Sequence, residues 1–193
     1  MQQPEKSCTW PGDDPLMIAY HDTEWGTPLH DDRKLFEFLV LDAFQAGLSW
    51  KTVLHKRKHF EKAFDKFDPH KIALYKEPKV QSLMQDAGII RNQLKIRGTI
   101  INAQQFLAIQ KEFGSFDRYI WQFTDYKTIN HARKDTTQIP ASSPESDAMS
   151  RDLRKRGFKF VGTTICYAFM QAAGMVNDHL LTCPRHQSCG KIP

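Results

Sequence analysis

Residues 35–50, LFEFLVLDAFQAGLSW, are apolar at nearly every position and long enough for about four helical turns. A helix that is apolar on nearly every side is buried, so the rest of the chain has to pack around it. We therefore predict an all-α fold organised around this helix. Asp31 or Asp32 is a suitable N-cap, and Ala46 with Gly47 can end the helix.

One carboxylate, Asp42, interrupts this apolar run. The positions that share its helical face, 35, 39 and 46, are Leu, Leu and Ala, so the carboxylate should point into apolar surroundings. A lone buried carboxylate costs several kcal/mol unless another group pairs with it. Two interpretations stay open: a structural salt bridge or hydrogen bond, or an acid that faces a small pocket closed by Trp50.

Length, charge and cysteine content narrow the class of protein. The 193 residues suffice for one large domain or two small lobes, and the net charge of +5 favours a polyanionic partner, most often nucleic acid. No apolar run reaches 18 residues and the polar N-terminus lacks the core of a signal peptide, which predicts a cytoplasmic protein without membrane contact. Four cysteines then indicate a metal site or free thiols rather than disulfides.

Further helices are predicted from apolar periodicity and cap residues. They cover residues 51–64, 78–87, 92–112, 116–123, 143–156 and 163–176, with another beginning at Asp68-Pro69. Gly88 is expected to take the left-handed conformation that ends a helix, and Thr163 to cap the last one. Strand signals are weak, and residues 126–143 are interpreted as a polar, mobile connection.

The turn at residues 88–91 precedes a long helix, whose first amide groups have no partners within the helix. Such a turn can bind a DNA phosphate. Arg91, Lys95 and Arg97 lie near enough in sequence to add positive charge. The alternative is an ordinary helical hairpin with a solvated basic face.

Four potential metal ligands lie near the two ends of the sequence: Cys8, His21, His179 and Cys183. Two thiolates and two imidazoles form a closed tetrahedral zinc set, which is structural rather than catalytic. Cys183, His186 and Cys189 are an alternative site within the tail, and free cysteines with exposed histidines are another. Cys166, in an apolar helix, is expected to be a core residue.

A second group of residues, Trp10, Tyr20, Asp42 and Trp50, has the chemistry of a pocket for a flat heterocycle. Aromatic rings can stack on such a base, and a carboxylate can accept from an exocyclic amine or balance a cationic ring. The alternative is that these aromatic residues only fill the core, as Trp25 is expected to do.

Five motifs resemble the 3-methyladenine DNA glycosylase I (TAG) family, in the same order and with compatible spacing from Cys8 to Cys183. They are YHDTEWG, DAFQAGLSW, DAGIIR, RKRGFKFVGTTICYAFMQA and GMVNDH. Several are long and unusual, so the resemblance covers nearly the whole chain.

The resemblance implies a single helix-hairpin-helix DNA glycosylase domain over residues 1–193. The helix-hairpin-helix would lie at about 78–112, and one structural zinc would join the terminal segments 1–30 and 174–193 through Cys8, His21, His179 and Cys183. The implied base pocket comprises Trp10, Met17, Tyr20, Asp42, Leu48 and Trp50. The implied DNA-binding residues are Gly47, Gly88, Ile89, Ile90, Arg91 and Lys95.

The implied activity is hydrolysis of the N-glycosidic bond of 3-methyladenine in alkylated double-stranded DNA. The implied enzyme is a monomer in the bacterial cytoplasm that acts on the nucleoid and has no obligate protein partner. Methylation at N3 makes adenine a good leaving group, so the pocket has to flip, stack and recognise a cationic base. Asp42 is then the expected catalytic residue, with no second acid.

Two positions depart from the family pattern: Asp42 stands where Glu is usual, and Met17 where Tyr is common. The shorter carboxylate reaches less far, and Met lacks a hydroxyl and a ring. Two alternatives follow, a damaged-DNA-binding protein without activity and a glycosylase with a shifted lesion preference. A zinc hydrolase is a third, and it requires an open metal position.

Overall fold

The computed structural model describes residues 8–189, and this part of the chain is mainly helical, as predicted. The first six helices are α1 (Pro15–Thr23), α2 (Asp32–Gln45), α3 (Trp50–Leu54), α4 (Arg57–Ala63), α5 (Pro69–Ile72) and α6 (Glu77–Gln85). The others are α7 (Gln93–Phe113), α8 (Phe116–Ile120), α9 (Pro144–Lys155), α10 (Thr163–Ala172) and α11 (Pro184–Ser188). Short 3-10 turns lie at Asp65–Phe67, Trp121–Thr124 and Thr136–Gln138.

Helix α2 is the centre of the core, as its apolar sequence predicted. Every residue from Leu35 to Phe44 is buried, and Asp31 caps the helix by accepting a hydrogen bond from the Lys34 amide at 2.9 Å. Helices α3, α7, α8 and α10 pack against it. Nearly all of the buried hydrophobic side chains belong to one continuous cluster, which includes those of this helix.

The helix end predicted at Ala46 and Gly47 is present in the structure. Helix α2 ends at Gln45, and Gly47 takes a left-handed conformation with φ of 79°. Ser49 then caps α3, which begins at Trp50. The turn at residues 46–49 therefore separates the two ends of the motif and leaves Leu48 exposed at 42%.

Three local predictions are corrected by the structure. The helix expected at 51–64 is two helices, because α3 ends at Leu54 and α4 begins at Arg57. Helix α10 is capped by Gly162 without a side-chain hydrogen bond, so Thr163 is its first residue. Gly88 does not adopt a positive φ. A Cβ there would lie 2.9 Å from Asp86 Oδ1 and His59 Cδ2, so close packing favours glycine at this position.

The segment 126–143, predicted as a polar connection, contains β1 (Ile129–Asn130). This strand pairs in parallel with β2 (Val176–Asn177), with Ile129 opposite Val176. A further bridge joins Arg133 to Leu180. The connection is thereby fixed to the C-terminal part of the chain. Such pairing depends on a partner nearly fifty positions away, which local sequence patterns do not reveal.

No helix in the described part of the chain is both long and apolar enough to cross a membrane. The terminal segments of the expected zinc-joined domain, 1–30 and 174–193, extend beyond the described residues at positions 1–7 and 190–193.

Candidate functional site

A cavity of about 390 Å³ opens beside the C-terminal half of α2. Tyr20 reaches it from α1, Asp42 from α2, Trp50 from α3, and Trp10 from the segment before α1. The structure thus brings together the four residues singled out as a base pocket. Its remaining wall consists of Trp25, Gln45, Thr136, Ile139, Ala168 and Gln171.

The aromatic side chains pack against one another around this cavity. The ring centroids of Tyr20 and Trp50 are 5.1 Å apart, and those of Trp10 and Tyr20 are 6.3 Å apart with an edge-to-face geometry. Trp10 also contacts Trp25, at 5.0 Å between centroids. Such packing restricts each ring to one orientation and leaves a space of fixed shape between them.

Three buried polar atoms without a hydrogen-bond partner belong to residues that line this cavity. They are Asp42 Oδ2, Trp10 Nε1 and Trp50 Nε1, and residues 8–189 contain only one other such side-chain atom, in Arg185. Buried polar groups are normally paired, and each unpaired one costs about 1–3 kcal/mol. The expectation of a structural partner for Asp42 is therefore wrong for its Oδ2 atom. One acceptor and two donors remain for a ligand.

The protonation of the site follows from its burial. Asp42 is only 2% exposed, and this desolvation raises the pKa of its carboxyl group well above the ordinary value. Burial and the negative charge of Asp42 also raise the pKa of Tyr20. The empty cavity therefore favours the neutral acid form of Asp42 relative to an exposed aspartate.

Two residues predicted for the pocket lie elsewhere. Met17 is buried in the core at 6% exposure and is not part of the cavity wall. Leu48 projects from the turn between α2 and α3 outside the cavity. Position 17 lies three residues before Tyr20 on α1, and the side chain at position 20 is the one that reaches the cavity.

Sequence reasoning missed part of the cavity wall, and these residues come from two distant segments. Ala168 and Gln171 are one helical turn apart on α10, a spacing that an amphipathic pattern can suggest. Thr136 and Ile139 come from the connection after β1, and no local signal marks them.

Asp178 holds this connection in place. Its carboxylate is fully buried and accepts hydrogen bonds from Tyr167 Oη at 2.6 Å, Gln171 Nε2 at 2.9 Å, His131 Nδ1 at 2.7 Å and Arg133 Nε at 3.2 Å. The buried acid thereby links α10, the segment after β1 and the end of β2. Asp178 therefore fixes both wall segments that sequence reasoning missed, which are α10 and the connection after β1.

The four expected metal ligands also come together. Their ligand atoms all lie within 4.8 Å of one another, and all four side chains are buried. Cys183 Sγ is 3.5 Å from His179 Nδ1 and 3.6 Å from His21 Nε2, and Cys8 Sγ is 3.8 Å from His179 Nδ1. Zinc bond lengths of 2.0–2.3 Å in a tetrahedron place sulfur and nitrogen ~3.5 Å apart. The donor set and its spacing therefore fit one tetrahedral zinc ion.

Neighbouring groups orient both imidazoles toward this centre. His21 Nδ1 donates to the Asp22 carboxylate at 2.7 Å, and His179 Nε2 donates to the Trp25 carbonyl at 2.9 Å. Each ring then presents its other nitrogen, as a lone pair, to the two sulfurs. Such outer hydrogen bonds commonly orient metal-bound histidines.

The alternatives for these cysteines and histidines do not agree with the structure. His186 Nε2 donates to the His131 carbonyl at 3.0 Å, and within residues 8–189 only the four-residue group has metal-ligand geometry. The four residues are buried, so His21 and His179 are not exposed histidines. A closed set of four also lacks the open position that a zinc hydrolase needs. Cys166 is a buried core residue, as predicted.

Residues 88–91, for which a hairpin was predicted, lie in the turn between α6 and α7. Ile89 is buried at 2% exposure, Ile90 is half-buried and Arg91 is exposed. Asn92 caps α7 by accepting from the Lys95 amide at 3.1 Å. This arrangement leaves Arg91 available to a ligand on the surface.

The structure contradicts the expectation that the side chain of Lys95 is free for DNA. Its ammonium group is turned inward and donates to the carbonyls of Phe44 at 2.8 Å and Ala46 at 2.6 Å, at the end of α2. Burial lowers its pKa. Arg97 is instead paired with Glu77 at 2.5 Å. Lys95 therefore holds the turn at residues 46–49 against the start of α7.

Comparison with known proteins gives one consistent result. Residues 10–186 match the family model described as methyladenine glycosylase. DNA-3-methyladenine glycosylase 1 of Escherichia coli (strain K12) is 49% identical over 176 residues, which is 91% of this chain and 94% of that protein. DNA-3-methyladenine glycosylase of Haemophilus influenzae is 45% identical over 92% of this chain and 96% of its own.

Solved structures agree with the sequence comparisons. A crystal structure of a 3-methyladenine DNA glycosylase I superimposes with a TM-score of 0.91 at 50% identity, over 93% of this chain and 98% of that one. The Staphylococcus aureus 3-methyladenine DNA glycosylase I, whose structure concerns 3-methyladenine recognition, has a TM-score of 0.92 at 32% identity. That match covers 99% of this chain and 100% of the other.

Proposed function

The chain belongs to the methyladenine glycosylase family, and on this basis we propose that it hydrolyses the N-glycosidic bond of 3-methyladenine in alkylated DNA. One observation supports the proposal most directly. The cavity walled by Trp10, Tyr20 and Trp50 contains an acid, Asp42, whose Oδ2 atom has no partner in the described chain. A flipped purine would supply the missing hydrogen bonds and stacking.

Recognition of the base would depend on its charge. In the empty cavity burial favours the neutral acid form of Asp42. A cationic ring beside it would favour the carboxylate, which then accepts from the exocyclic amine. Entry of 3-methyladenine would therefore lower the pKa of Asp42, whereas neutral adenine would not stabilise the carboxylate by its charge.

Hydrolysis then needs little assistance at the leaving group. The bond between the sugar C1′ and the base nitrogen breaks, and its electron pair neutralises the cationic ring. A water oxygen bonds to C1′ and its proton passes to solvent, leaving an abasic site. The contribution of Asp42 is to stabilise the cationic base in the flipped position.

We propose that one zinc ion is bound by Cys8, His21, His179 and Cys183. When bound, it joins the segment before α1 to the C-terminal part of the chain. The four protein ligands leave no position for substrate, so the role of the ion is structural.

DNA would be bound on the face that carries the hairpin and the turn at residues 46–49. We propose that residues 78–112 act as a helix-hairpin-helix within a single domain, as a monomer acting on double-stranded DNA in the bacterial cytoplasm. The amides at Gly88, Ile89, Ile90 and Arg91 would face a phosphate, and Gly47 with Leu48 would approach the duplex where the base is flipped. The exposed position of Leu48 supports this role.

The first test is base release from methylated duplex DNA, measured by mass spectrometry. We expect the wild-type protein to release 3-methyladenine and Asp42→Asn to release it at least ~100-fold more slowly, because Asn cannot balance the cationic ring. Asp13→Asn, at an exposed position, is the matched control. Retained DNA binding without release of any base would instead indicate a damaged-DNA-binding protein, and release of another base a shifted lesion preference.

A further inference from the structure

Lys56 links the hairpin to the start of α4. It is the residue that precedes the first turn of α4, and its side chain is half-buried. Its ammonium group donates to the carbonyls of Ala87 at 2.9 Å and Gly88 at 3.3 Å. Two of its three donors are thus directed at the backbone of the turn that should face DNA.

Most other cations around this turn have a partner within the protein. Lys51 pairs with Asp14 at 3.0 Å, Arg97 pairs with Glu77, and Lys95 is directed inward. Lys56, by contrast, forms no ion pair with any residue between 8 and 189. Its positive charge is therefore balanced only by carbonyl dipoles.

The backbone near Lys56 has amide groups that form no hydrogen bond within the described chain. Four amides in and after the turn form no hydrogen bond with the described part of the chain: those of Ile90, Arg91, Gln93 and Leu94. Amides of this kind at the start of a long helix attract an anion. The carbonyls of Ala87 and Gly88 in the same turn would repel it, unless a cation offsets their partial negative charge.

We propose that Lys56 is a DNA-phosphate-binding residue. Two of its N–H groups hold the hairpin carbonyls and the third is left for an oxygen of the phosphate that the hairpin amides bind. Lys56 would supply the positive charge that the sequence analysis expected from Lys95. Its hydrogen bonds to the two carbonyls also fix its orientation, unlike that of a free surface lysine. This inference rests on the proposed function, since it takes DNA as the polyanion.

The test is the salt dependence of binding to a duplex that contains a stable abasic analogue. Lys56→Gln removes the charge but keeps an N–H donor, Lys56→Arg keeps the charge, and Lys111→Gln is the control. Lys111 is exposed near the far end of α7, ~25 Å along the helix from the hairpin. Each phosphate contact contributes about 0.9 to the slope of log affinity against log salt concentration.

We expect Lys56→Gln to lower this slope by about 0.9 and to weaken binding by about 3–10-fold near 100 mM salt, equally for damaged and undamaged duplexes. Lys56→Arg and Lys111→Gln should retain the wild-type slope. A weaker affinity with an unchanged slope would mean that Lys56 only supports the hairpin, and unchanged affinity would also overturn the proposal.

Base release by the wild-type protein separates this inference from the proposed function. If 3-methyladenine is released while the Lys56→Gln slope is unchanged, the proposal for Lys56 fails and the glycosylase activity stands. If the slope falls but no base is released, Lys56 binds DNA and the proposed activity fails.

Discussion

The carboxyl group of Asp42 is placed where it lowers the stability of the empty protein. Its Oδ2 atom has no hydrogen-bond partner in the described chain, and burial raises its pKa. The folded protein therefore binds the Asp42 proton at pH values where the unfolded chain has released it. Because the folded state holds the extra proton, stability decreases as the pH rises above the unfolded pKa. A residue that needs a ligand for its pairing is typical of a functional site.

Asp42→Asn should consequently stabilise the empty protein, although it impairs base release. The ionisation cost begins near the unfolded pKa of 3.8 and grows by up to about 1.4 kcal/mol per pH unit until the folded pKa is reached. We expect the variant to be equally stable at pH 4 and more stable by at least about 1 kcal/mol at pH 7. Urea denaturation at the two pH values measures the difference.

Asp13→Asn, in which an exposed carboxyl is replaced, serves as the control and should show no such gain. A loss of stability in Asp42→Asn at pH 7 would mean that the carboxylate has a structural partner in solution.

The residues that could be identified from sequence are those whose chemistry is unusual for their surroundings. An acid in an apolar helix, four soft metal ligands and a cluster of indoles each conflict with a purely structural role, and the structure brings these groups together. Lys95 and Met17 could not be placed in the same way. Whether a lysine or methionine faces a ligand or the protein depends on distant carbonyls and side chains.

At the scale of elements, the cap of α2 was accessible to sequence reasoning because it is local. Asp31 caps this helix by accepting from an amide three residues further on, whereas Thr163 does not cap α10. The break between α3 and α4, the pairing of β1 with β2 and the packing of Gly88 against His59 were not accessible. Each depends on contacts between segments that are far apart in sequence.

The backbone at Gly174 lies very close to the backbone at Thr27 and Pro28. It lies just before β2 with φ of 68°, and a Cβ would overlap the backbone of Thr27 and Pro28. Gly174→Ala should therefore cost at least about 3 kcal/mol of unfolding free energy, from backbone strain together with steric overlap. Chemical denaturation is the measurement.

Gly12 provides the matched control. It has a similar φ of 62°, but a Cβ there would meet no atom within 4 Å. Gly12→Ala should lower the free energy of unfolding by only about 1–2 kcal/mol, because it adds backbone strain without steric overlap. Equal losses in the two variants would show that Thr27 and Pro28 move aside without cost.

At the scale of the whole molecule, the cluster of Cys8, His21, His179 and Cys183 brings together parts of the chain that are far apart in sequence. Cys8 lies 3.8 Å from His179 although 171 positions separate them. A metal ion that closes so long a loop would stabilise the folded state, because it removes conformational entropy from the unfolded chain. We expect about one zinc per chain by elemental analysis, and Cys8→Ser should lose both the zinc and at least about 3 kcal/mol of stability.

Cys166→Ala removes a buried thiol outside the cluster and should retain the zinc. A zinc content of one in Cys8→Ser would place the metal at a different set of ligands.

The closeness of Cys8 and His179 also bears on when the protein becomes functional during its synthesis. Trp10, which forms part of the cavity, is synthesised long before His179 and Leu180, which contact the neighbouring Cys8. The apolar helix at the centre can collapse with its neighbours while translation continues. The cavity cannot be completed until His179 and Cys183 have emerged, so a nascent chain carries every aromatic residue of the pocket without yet having a pocket.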